Sequence, residues 1–279
     1  MIAGTSLAAS GTAPRTEPQG VVIEIGGIPI LLRSGDAKFR AMLEQRYAGF
    51  LNPSAQPANE FTIYLNPPPT KIPDADAQVF RNDSVWRIER GDFRAEWDAE
   101  ACRGYVQQSA NPYAIDTVLR ITHSLVLAGK SGFLLHAASA SRNGCAFLFA
   151  GASGAGKTTL ARLAPQDAKV LTDEVSYVRR QKDGYFAFGT PFAGELAKVG
   201  ENIRAPIAAL FLLAKGPRNR IEPVARTDAA RALLSNILFF AEDPEFVKLV
   251  FHSACEFVGL VPVYRLTFVP NAHVWEMIG

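Results

Sequence analysis

The run of residues 151–158, GASGAGKT, is the feature that most constrains what this chain can fold into. It fills every fixed position of G-x-x-x-x-G-K-[ST], a pattern that is typical of a phosphate-binding loop between a strand and a helix. Residues 145–150 form an unbroken apolar run that predicts a buried strand, and residues 158–163 have the apolar spacing of an amphipathic helix. Strand, loop and helix are therefore predicted in the order that such a loop requires.

The residues of this loop predict a nucleoside triphosphate site. Its glycines let the backbone curl until several N–H groups point inward, and the dipole of the following helix adds partial positive charge. We expect Lys157 to reach the outer phosphates and Thr158 to ligate Mg²⁺. The residues predicted to bind the nucleotide are Gly151, Ala152, Ser153, Gly154, Ala155, Gly156, Lys157, Thr158 and Thr159.

The composition is that of an ordinary globular chain, and it argues against several classes of partner. With 279 residues, 48% hydrophobic and 20% charged, the chain can bury one large core or a core with a smaller flanking unit. The net charge of +2 comes without a basic stripe, so no nucleic acid partner is predicted. The three cysteines lack a C-x-x-C spacing, which indicates neither a disulfide framework nor a zinc site. No basic start precedes a long apolar run and no apolar stretch reaches about 18 residues, so we expect a cytoplasmic protein with no membrane partner.

Changes of pattern divide the chain into a flexible N-terminus at residues 1–20, an N-terminal α+β unit at 21–110 and a nucleotide-binding domain at 111–279. The α+β unit begins with a predicted hairpin through Gly26-Gly27. Pro29 lies in the second strand of this hairpin and predicts that this strand is at the edge of its sheet. The other elements predicted there are a helix from about residue 36 to 45 and strands at 61–65, 78–80, 85–88 and 92–97.

The rest of the chain alternates strands and helices. Its elements are predicted as strands at 133–140, 145–150, 170–172, 177–180 and 208–213, and helices at 112–128, 228–240 and 243–255, besides the helix after the loop.

Two carboxylates, Asp173 and Glu174, follow a predicted short strand and would suit a magnesium site or a general base. Fourteen residues separate Thr158 from Asp173, room for one short helix and one strand. In the commoner P-loop enzymes, the strand that carries the metal-binding aspartate usually lies much further along the chain. Asp173 and Glu174 could also be solvent-exposed residues at the end of a strand, but their short separation from the phosphate loop favours a position in the active site.

His136 lies in the predicted strand that precedes the loop's strand. Residues 141–144 predict a turn, so the two strands should pair as a hairpin that carries His136 into the sheet of the loop. A lone histidine in an apolar run is more often a core residue, but the neighbouring phosphate loop favours a functional role.

The sequence resembles the HPr serine kinase/phosphorylase catalytic domain and the wider group of HPr-kinase-related kinases. The landmarks that carry the resemblance are LHAAS at 135–139, the loop at 151–159, TDE at 172–174, GTPFAGE at 189–195 and VPVYRL at 261–266. The resemblance implies an α/β fold of the mixed α+β kind: a P-loop kinase domain of the HPr kinase/phosphoenolpyruvate carboxykinase type, with a smaller N-terminal α+β unit. That mixed sheet would explain the short spacing to Asp173.

The resemblance also implies roles for the matching residues. ATP would be the donor, with Lys157 on its β- and γ-phosphates and His136 beside the transferred group. Asp173 would be the general base, and Thr158, Asp173 and Glu174 would be the metal ligands. Glu174 departs from the adjacent Asp-Asp of HPr kinase. The basic Gly-rich C-terminal segment of HPr kinase is not recognisable here, which leaves HPr as a substrate, and dephosphorylation, unsupported.

Three further residues are candidates for substrate contact. The resemblance places Glu195 in a flexible loop near the acceptor pocket. Arg204 and Arg265 are charged residues in apolar surroundings, where each could assist phosphate or acceptor binding or form a surface salt bridge.

These observations predict an ATP- and Mg²⁺-dependent kinase of a serine-type hydroxyl on a protein or precursor peptide. A small-molecule kinase, for free serine or another metabolite, would use the same phosphate machinery with a smaller acceptor pocket. A non-catalytic nucleotide-binding regulatory module is the third alternative, although a switch would need neither Asp173 nor His136. Relatives in the resembled family are often oligomeric, so a homo-oligomer stays open.

Overall fold

The computed structural model describes residues 19–68 and 76–279 as two mixed β-sheets with helices between and around them. The expected α+β class is therefore confirmed. Residues 1–18 of the predicted flexible N-terminus lie outside the described residues, and Gly20 already belongs to the first strand.

The first sheet has seven strands. In chain order they are β1 (Gly20–Ile25), β2 (Ile28–Ser34), β3 (Asn59–Leu65), β4 (Gln78–Asn82), β5 (Val85–Arg90), β6 (Phe93–Asp98) and β7 (Arg103–Gln108). Their spatial order is β1-β2-β3-β7-β6-β5-β4, with parallel pairing only at β2-β3 and β3-β7.

The predicted hairpin at Gly26-Gly27 is confirmed, since Ile25 pairs with Ile28. The expectation that Pro29 makes the second strand an edge is wrong, because β2 lies between β1 and β3. The pairing of β2 with β3 begins at Ile30. Pro29 lies one residue before that pairing, so its missing N–H is tolerated.

The second sheet has eight strands. They are β8 (Gly132–Arg142), β9 (Cys145–Ala150), β10 (Lys169–Thr172), β11 (Val175–Gln181), β12 (Gly184–Phe188), β13 (Arg204–Lys215), β14 (Arg220–Pro223) and β15 (Val263–Phe268). The order is β10-β8-β11-β12-β13-β15-β14, and β9 pairs with both β8 and β13. Strands β8, β11, β12, β13 and β9 therefore close a ring.

Five α-helices accompany the sheets in the described part of the chain. They are α1 (Ala37–Arg46), α2 (Pro112–Ala128), α3 (Lys157–Arg162), α4 (Arg226–Leu234) and α5 (Pro244–Leu260). The helix predicted at about residues 36–45 is α1, which the Asp36 side chain caps, and α2 has the predicted bounds. The helix predicted to reach residue 240 ends at Leu234, because the next segment forms a bridge between Ile237 and Leu135 of β8.

One hydrophobic cluster runs through both sheets and includes buried residues of α2, whereas a smaller cluster lies around α3 and the C-terminal segment. Within residues 19–68 and 76–279, no helix has the length and apolar character needed to cross a membrane.

Candidate functional site

Strand β8 brings the predicted site residues together. It pairs antiparallel with β9 on one side and with β10 on the other, so β9 and β10 run in the same direction and end at the same edge. Ala137 is opposite Ala150, the last residue before the phosphate loop, and Ser139 is opposite Thr172, the last residue before Asp173. The predicted hairpin of β8 and β9 is thus confirmed. Together with the pairing of β8 and β10, it brings His136, the phosphate loop and the carboxylate pair to the same edge of the sheet.

The phosphate loop has the strand-loop-helix order that its sequence predicts. It leaves β9 at Gly151, and Gly156, with φ +109°, precedes the first residue of α3. A Cβ on Gly156 would lie 2.5 Å from Cζ of Phe268 in β15. The loop is therefore shaped by its own glycines and by a neighbouring strand.

Lys157 lies inside this loop, with only 8% of its surface exposed. Its Nζ donates to the carbonyl oxygens of Gly151 at 2.9 Å and Ala152 at 3.4 Å. Burial lowers the pKa of Lys157, while the carboxylates of Glu195 and Glu174 raise it. The ammonium is thus held at the loop, within the electrostatic reach of both carboxylates.

Asp173 is buried, with 3% of its surface exposed. Oδ1 accepts from the backbone N–H of Gly194 at 2.9 Å, and Oδ2 accepts from that of Leu196 at 2.8 Å. The loop of residues 189–200 is also anchored at its base, where Thr190 N donates to Leu171 O at 3.1 Å. Asp173 therefore fixes the loop that carries Glu195, and each carboxylate oxygen keeps a further lone pair for the cleft.

Glu174 has a partner that sequence reasoning missed. Its Oε2 lies 3.2 Å from Nη2 of Arg120 in α2, and Cζ of Arg120 lies 4.9 Å from the ring centroid of Phe192. The available signal was the isolation of two charged residues, Asp116 and Arg120, in an apolar helix. Their i,i+4 spacing suggests a pair within the helix, but each binds a different element instead.

His136 is exposed, and its backbone N–H donates to the carbonyl oxygen of Asn236 at 2.7 Å. Loss of solvent at the cleft lowers the pKa of the imidazole, the Lys157 ammonium lowers it further, and Glu174 opposes both. The ring is therefore neutral at pH 7 and has one donor and one acceptor.

These groups line a cleft of about 200 Å³. Its lining residues are His136, Ser153, Gly154, Gly156, Lys157, Thr158, Thr159, Asp173, Glu174, Gly194 and Glu195. Pockets for whole drug-sized ligands are larger, about 300–1,000 Å³, so this space suits the phosphates and the reacting groups.

Two predicted substrate residues are not brought to the cleft. Arg204 is exposed on β13, where Nη1 donates to Oε1 of Gln181 at 2.9 Å. Arg265 is exposed on β15, opposite Glu222 of β14. Of the three candidates for substrate contact, Glu195 alone lines the cleft.

The side chains at the cleft fit a magnesium ion that arrives with phosphates. In the described ranges, no group of three or more His, Cys, Asp and Glu is placed to hold a metal by itself. Thr158 supplies a hydroxyl and Glu174 a carboxylate, both at the cleft. Mg²⁺ commonly takes one or two carboxylates and completes its shell with phosphate oxygens and water, so this donor set suits it.

Residues 113–279 match the protein family described as SynChlorMet cassette protein ScmC. The chain belongs to this family. The ScmC match begins at the second residue of α2 and includes every residue that lines the cleft. The first sheet lies before the matched ScmC region. No curated protein matches the chain.

Proposed function

We propose that this protein is an ATP- and Mg²⁺-dependent kinase that transfers the γ-phosphoryl group to a serine-type hydroxyl of a protein or peptide. The proposal includes the P-loop fold of the HPr kinase/phosphoenolpyruvate carboxykinase type, in which a mixed sheet carries the loop. The short helix α3 and the same direction of β9 and β10 support it, because they bring Asp173 beside the loop after only fourteen residues.

The observation that carries the proposal is the buried Asp173 carboxylate in the cleft of the phosphate loop. A loop that only sensed nucleotide would need amides and a lysine but no carboxylate held by two backbone donors. A phosphotransferase needs such a group, since the acceptor hydroxyl must lose its proton as its oxygen bonds to phosphorus.

In the proposed reaction, the loop amides and Lys157 bind the donor phosphates and keep the γ-phosphorus in line with the acceptor oxygen. Asp173 accepts the hydroxyl proton, the acceptor oxygen bonds to the γ-phosphorus, and the bond from that phosphorus to the β–γ bridging oxygen breaks as ADP leaves. The neutral His136 ring can donate a hydrogen bond beside the transferred group. When bound through Thr158 and Glu174, Mg²⁺ would neutralise developing negative charge.

The test is transfer of label from γ-labelled ATP in the presence of Mg²⁺. The acceptors are free L-serine, HPr and peptides encoded near the protein's own gene. Lys157→Ala should abolish transfer because it removes the cation at the phosphates, whereas Lys182→Ala, at an exposed position away from the cleft, should leave transfer unchanged.

Label in a peptide or protein would support the proposal, and label in free serine alone would assign a small-molecule kinase. ATP binding without transfer to any acceptor would contradict a kinase and favour a nucleotide-dependent regulatory module.

A further inference from the structure

Arg120 is mounted on a rigid part of the fold. Helix α2 has 17 residues, and the Asn111 side chain caps it by accepting from two backbone amides. One turn before Arg120, Asp116 binds Tyr47 and accepts from Nε of Arg46 at 3.0 Å. Helix α2 is therefore bound to α1 and Tyr47 through Asp116, and one turn later it places Arg120 beside Glu174 of the cleft.

The Arg120 guanidinium contacts the cleft and the loop of residues 189–200 at once. It forms the ion pair with Glu174, which lines the cleft, and it lies over the ring of Phe192, which is 1% exposed within that loop. The same loop donates two amides to Asp173. One side chain thus touches both a carboxylate of the cleft and the segment that Asp173 holds.

The Nε atom of Arg120 is buried and has no hydrogen-bond partner among the described residues. A buried donor without a partner is unfavourable, so contact with water does not hold the Arg120 side chain where it lies. Its contacts with Glu174 and Phe192 hold it there. Arginine also suits both contacts better than lysine, because its planar group can stack and pair at once.

We propose that Arg120 is a positioning residue that orients the Glu174 carboxylate for the metal and braces the loop of residues 189–200 through Phe192. The metal step rests on the proposed function, whereas the bracing of the loop does not.

The first experiment measures hydrogen exchange over residues 191–198 in the protein without nucleotide. In Arg120→Met, exchange at the amides of Gly194 and Leu196 should rise about tenfold as the loop loses its brace. The matched control is Arg90→Met, because Arg90 also pairs with a carboxylate, Asp92, and lies 5.2 Å from an aromatic ring, that of Phe93. Unchanged loop exchange in Arg120→Met would overturn the bracing role.

The second experiment titrates ATP binding against Mg²⁺ by calorimetry. Loss of the orienting contact in Arg120→Met should raise the half-saturating Mg²⁺ concentration about tenfold, as for other groups that position a metal ligand. A purely electrostatic role predicts the opposite sign, because removing a positive charge near Glu174 would favour the cation. Tighter or unchanged Mg²⁺ dependence would therefore overturn the orienting role.

Arg120→Lys is the second variant if Arg120→Met folds poorly. It keeps the charge for Glu174 but loses the broad guanidinium group that lies over the Phe192 ring, so it should recover much of the Mg²⁺ dependence and little of the loop protection. Recovery of both, or of neither, would contradict the two-contact role. If the protein bound no ATP, the proposed function would fail, while hydrogen exchange would still decide the bracing of the loop.

Discussion

In the proposed function, Asp173 would combine two tasks in one side chain. Its oxygens hold the amides of Gly194 and Leu196, and its remaining lone pairs are available to an acceptor hydroxyl in the cleft. The residue that would take the proton therefore also fixes the segment that carries Glu195. This arrangement would tie the geometry of the proposed base to the position of the loop of residues 189–200.

Asp173→Asn should lower kcat for phosphoryl transfer by about a hundredfold to ten-thousandfold, as expected for a lost general base. The amide keeps the shape of the side chain, but its NH2 group can no longer accept from one of the two backbone N–H groups of Gly194 and Leu196, so the loop of residues 189–200 loses one hydrogen bond. ATP binding should be retained because Lys157 and the phosphate loop are unchanged. Single-turnover transfer checks the rate, with Asp167→Asn as the control, since that carboxylate is 55% exposed and pairs with Arg142. A wild-type rate in Asp173→Asn would show that another group takes the proton.

Burial of His123 predicts a pH-dependent stability. The ring is fully buried, its Nδ1 lies 3.2 Å from the hydroxyl of Tyr177, and burial lowers its pKa from 6.5 to about 3. Below pH 6.5 the unfolded state binds a proton that the folded state excludes, so this contribution is full above pH 6.5 and is lost as the pH falls towards 3.

Protonation of His123 in the unfolded state should therefore lower the free energy of unfolding by about 2 kcal/mol when the pH falls from 8 to 5. Urea unfolding of the wild type and of His123→Leu across this range measures the effect as the difference between two slopes. The variant will be less stable at pH 8 but should lose less stability on acidification. Parallel curves would mean that His123 is protonated in the folded protein.

At the scale of elements, the phosphate loop depends on a strand far away in sequence. Gly156 has φ +109°, and a Cβ there would collide with Phe268 of β15. Gly144, in the turn between β8 and β9, has φ +78°, and a Cβ added there would meet no atom within 4 Å. Gly144 therefore shares the backbone requirement of Gly156 without the collision.

Gly156→Ala should lower the unfolding free energy by about 3 kcal/mol, from backbone strain and overpacking, and should weaken ATP binding as the loop shifts. Gly144→Ala should cost about 1 kcal/mol from its backbone conformation and leave ATP binding intact. Denaturant unfolding and calorimetry with ATP check both variants. Equal costs would mean that contact with Phe268 does not shape the loop.

At the scale of the whole molecule, the core does not respect the predicted boundary between residues 110 and 111. That boundary coincides with the passage from one sheet to the other, but the larger hydrophobic cluster contains residues of both sheets and of α2. Asp116 adds a polar link, since it binds Arg46 and Tyr47 of the first unit while 7% exposed. Burial and the Asp116 carboxylate raise the pKa of Tyr47 well above its ordinary value, against the opposing effect of the Arg46 charge, so its hydroxyl stays protonated as a donor.

Asp116→Ala should lower the unfolding free energy by about 3 kcal/mol, because it leaves the Arg46 charge without its buried partner. Unfolding should remain a single transition, with circular dichroism coinciding with the fluorescence of Trp86 and Trp97 in the first sheet, measured in a Trp275→Phe background because Trp275 lies in the C-terminal segment. Glu100→Ala, at an exposed turn, should change stability by less than about 0.5 kcal/mol. Separate transitions for the two probes would mean that each unit unfolds by itself.

Local patterns were enough to predict much of this architecture. The hairpin at Gly26-Gly27, the bounds of α2 and the strand before the phosphate loop were all predicted, because each depends on turn chemistry, capping or periodicity within a short stretch. Strands β7, β12, β14 and β15 were missed. Strands β7 and β12 follow their partners β6 and β11 through short turns, a local signal that was overlooked. Strands β14 and β15 are instead defined by partners far along the chain. Pro29 misled for the same reason, because its effect depends on where pairing with β3 begins.

By itself, the sequence determined the phosphate loop, its order between strand and helix, and the nearness of His136 through one short hairpin. Only the tertiary structure decided which groups face these residues: the amides of Gly194 and Leu196 on Asp173, and Arg120 on Glu174 across 54 positions of sequence. Asp116 and Arg120 have the i,i+4 spacing of a pair within a helix, yet each binds a different element. The physical reason is that short-range patterns encode turns and helix faces, whereas a charged group's partner is decided by which buried elements pack beside it.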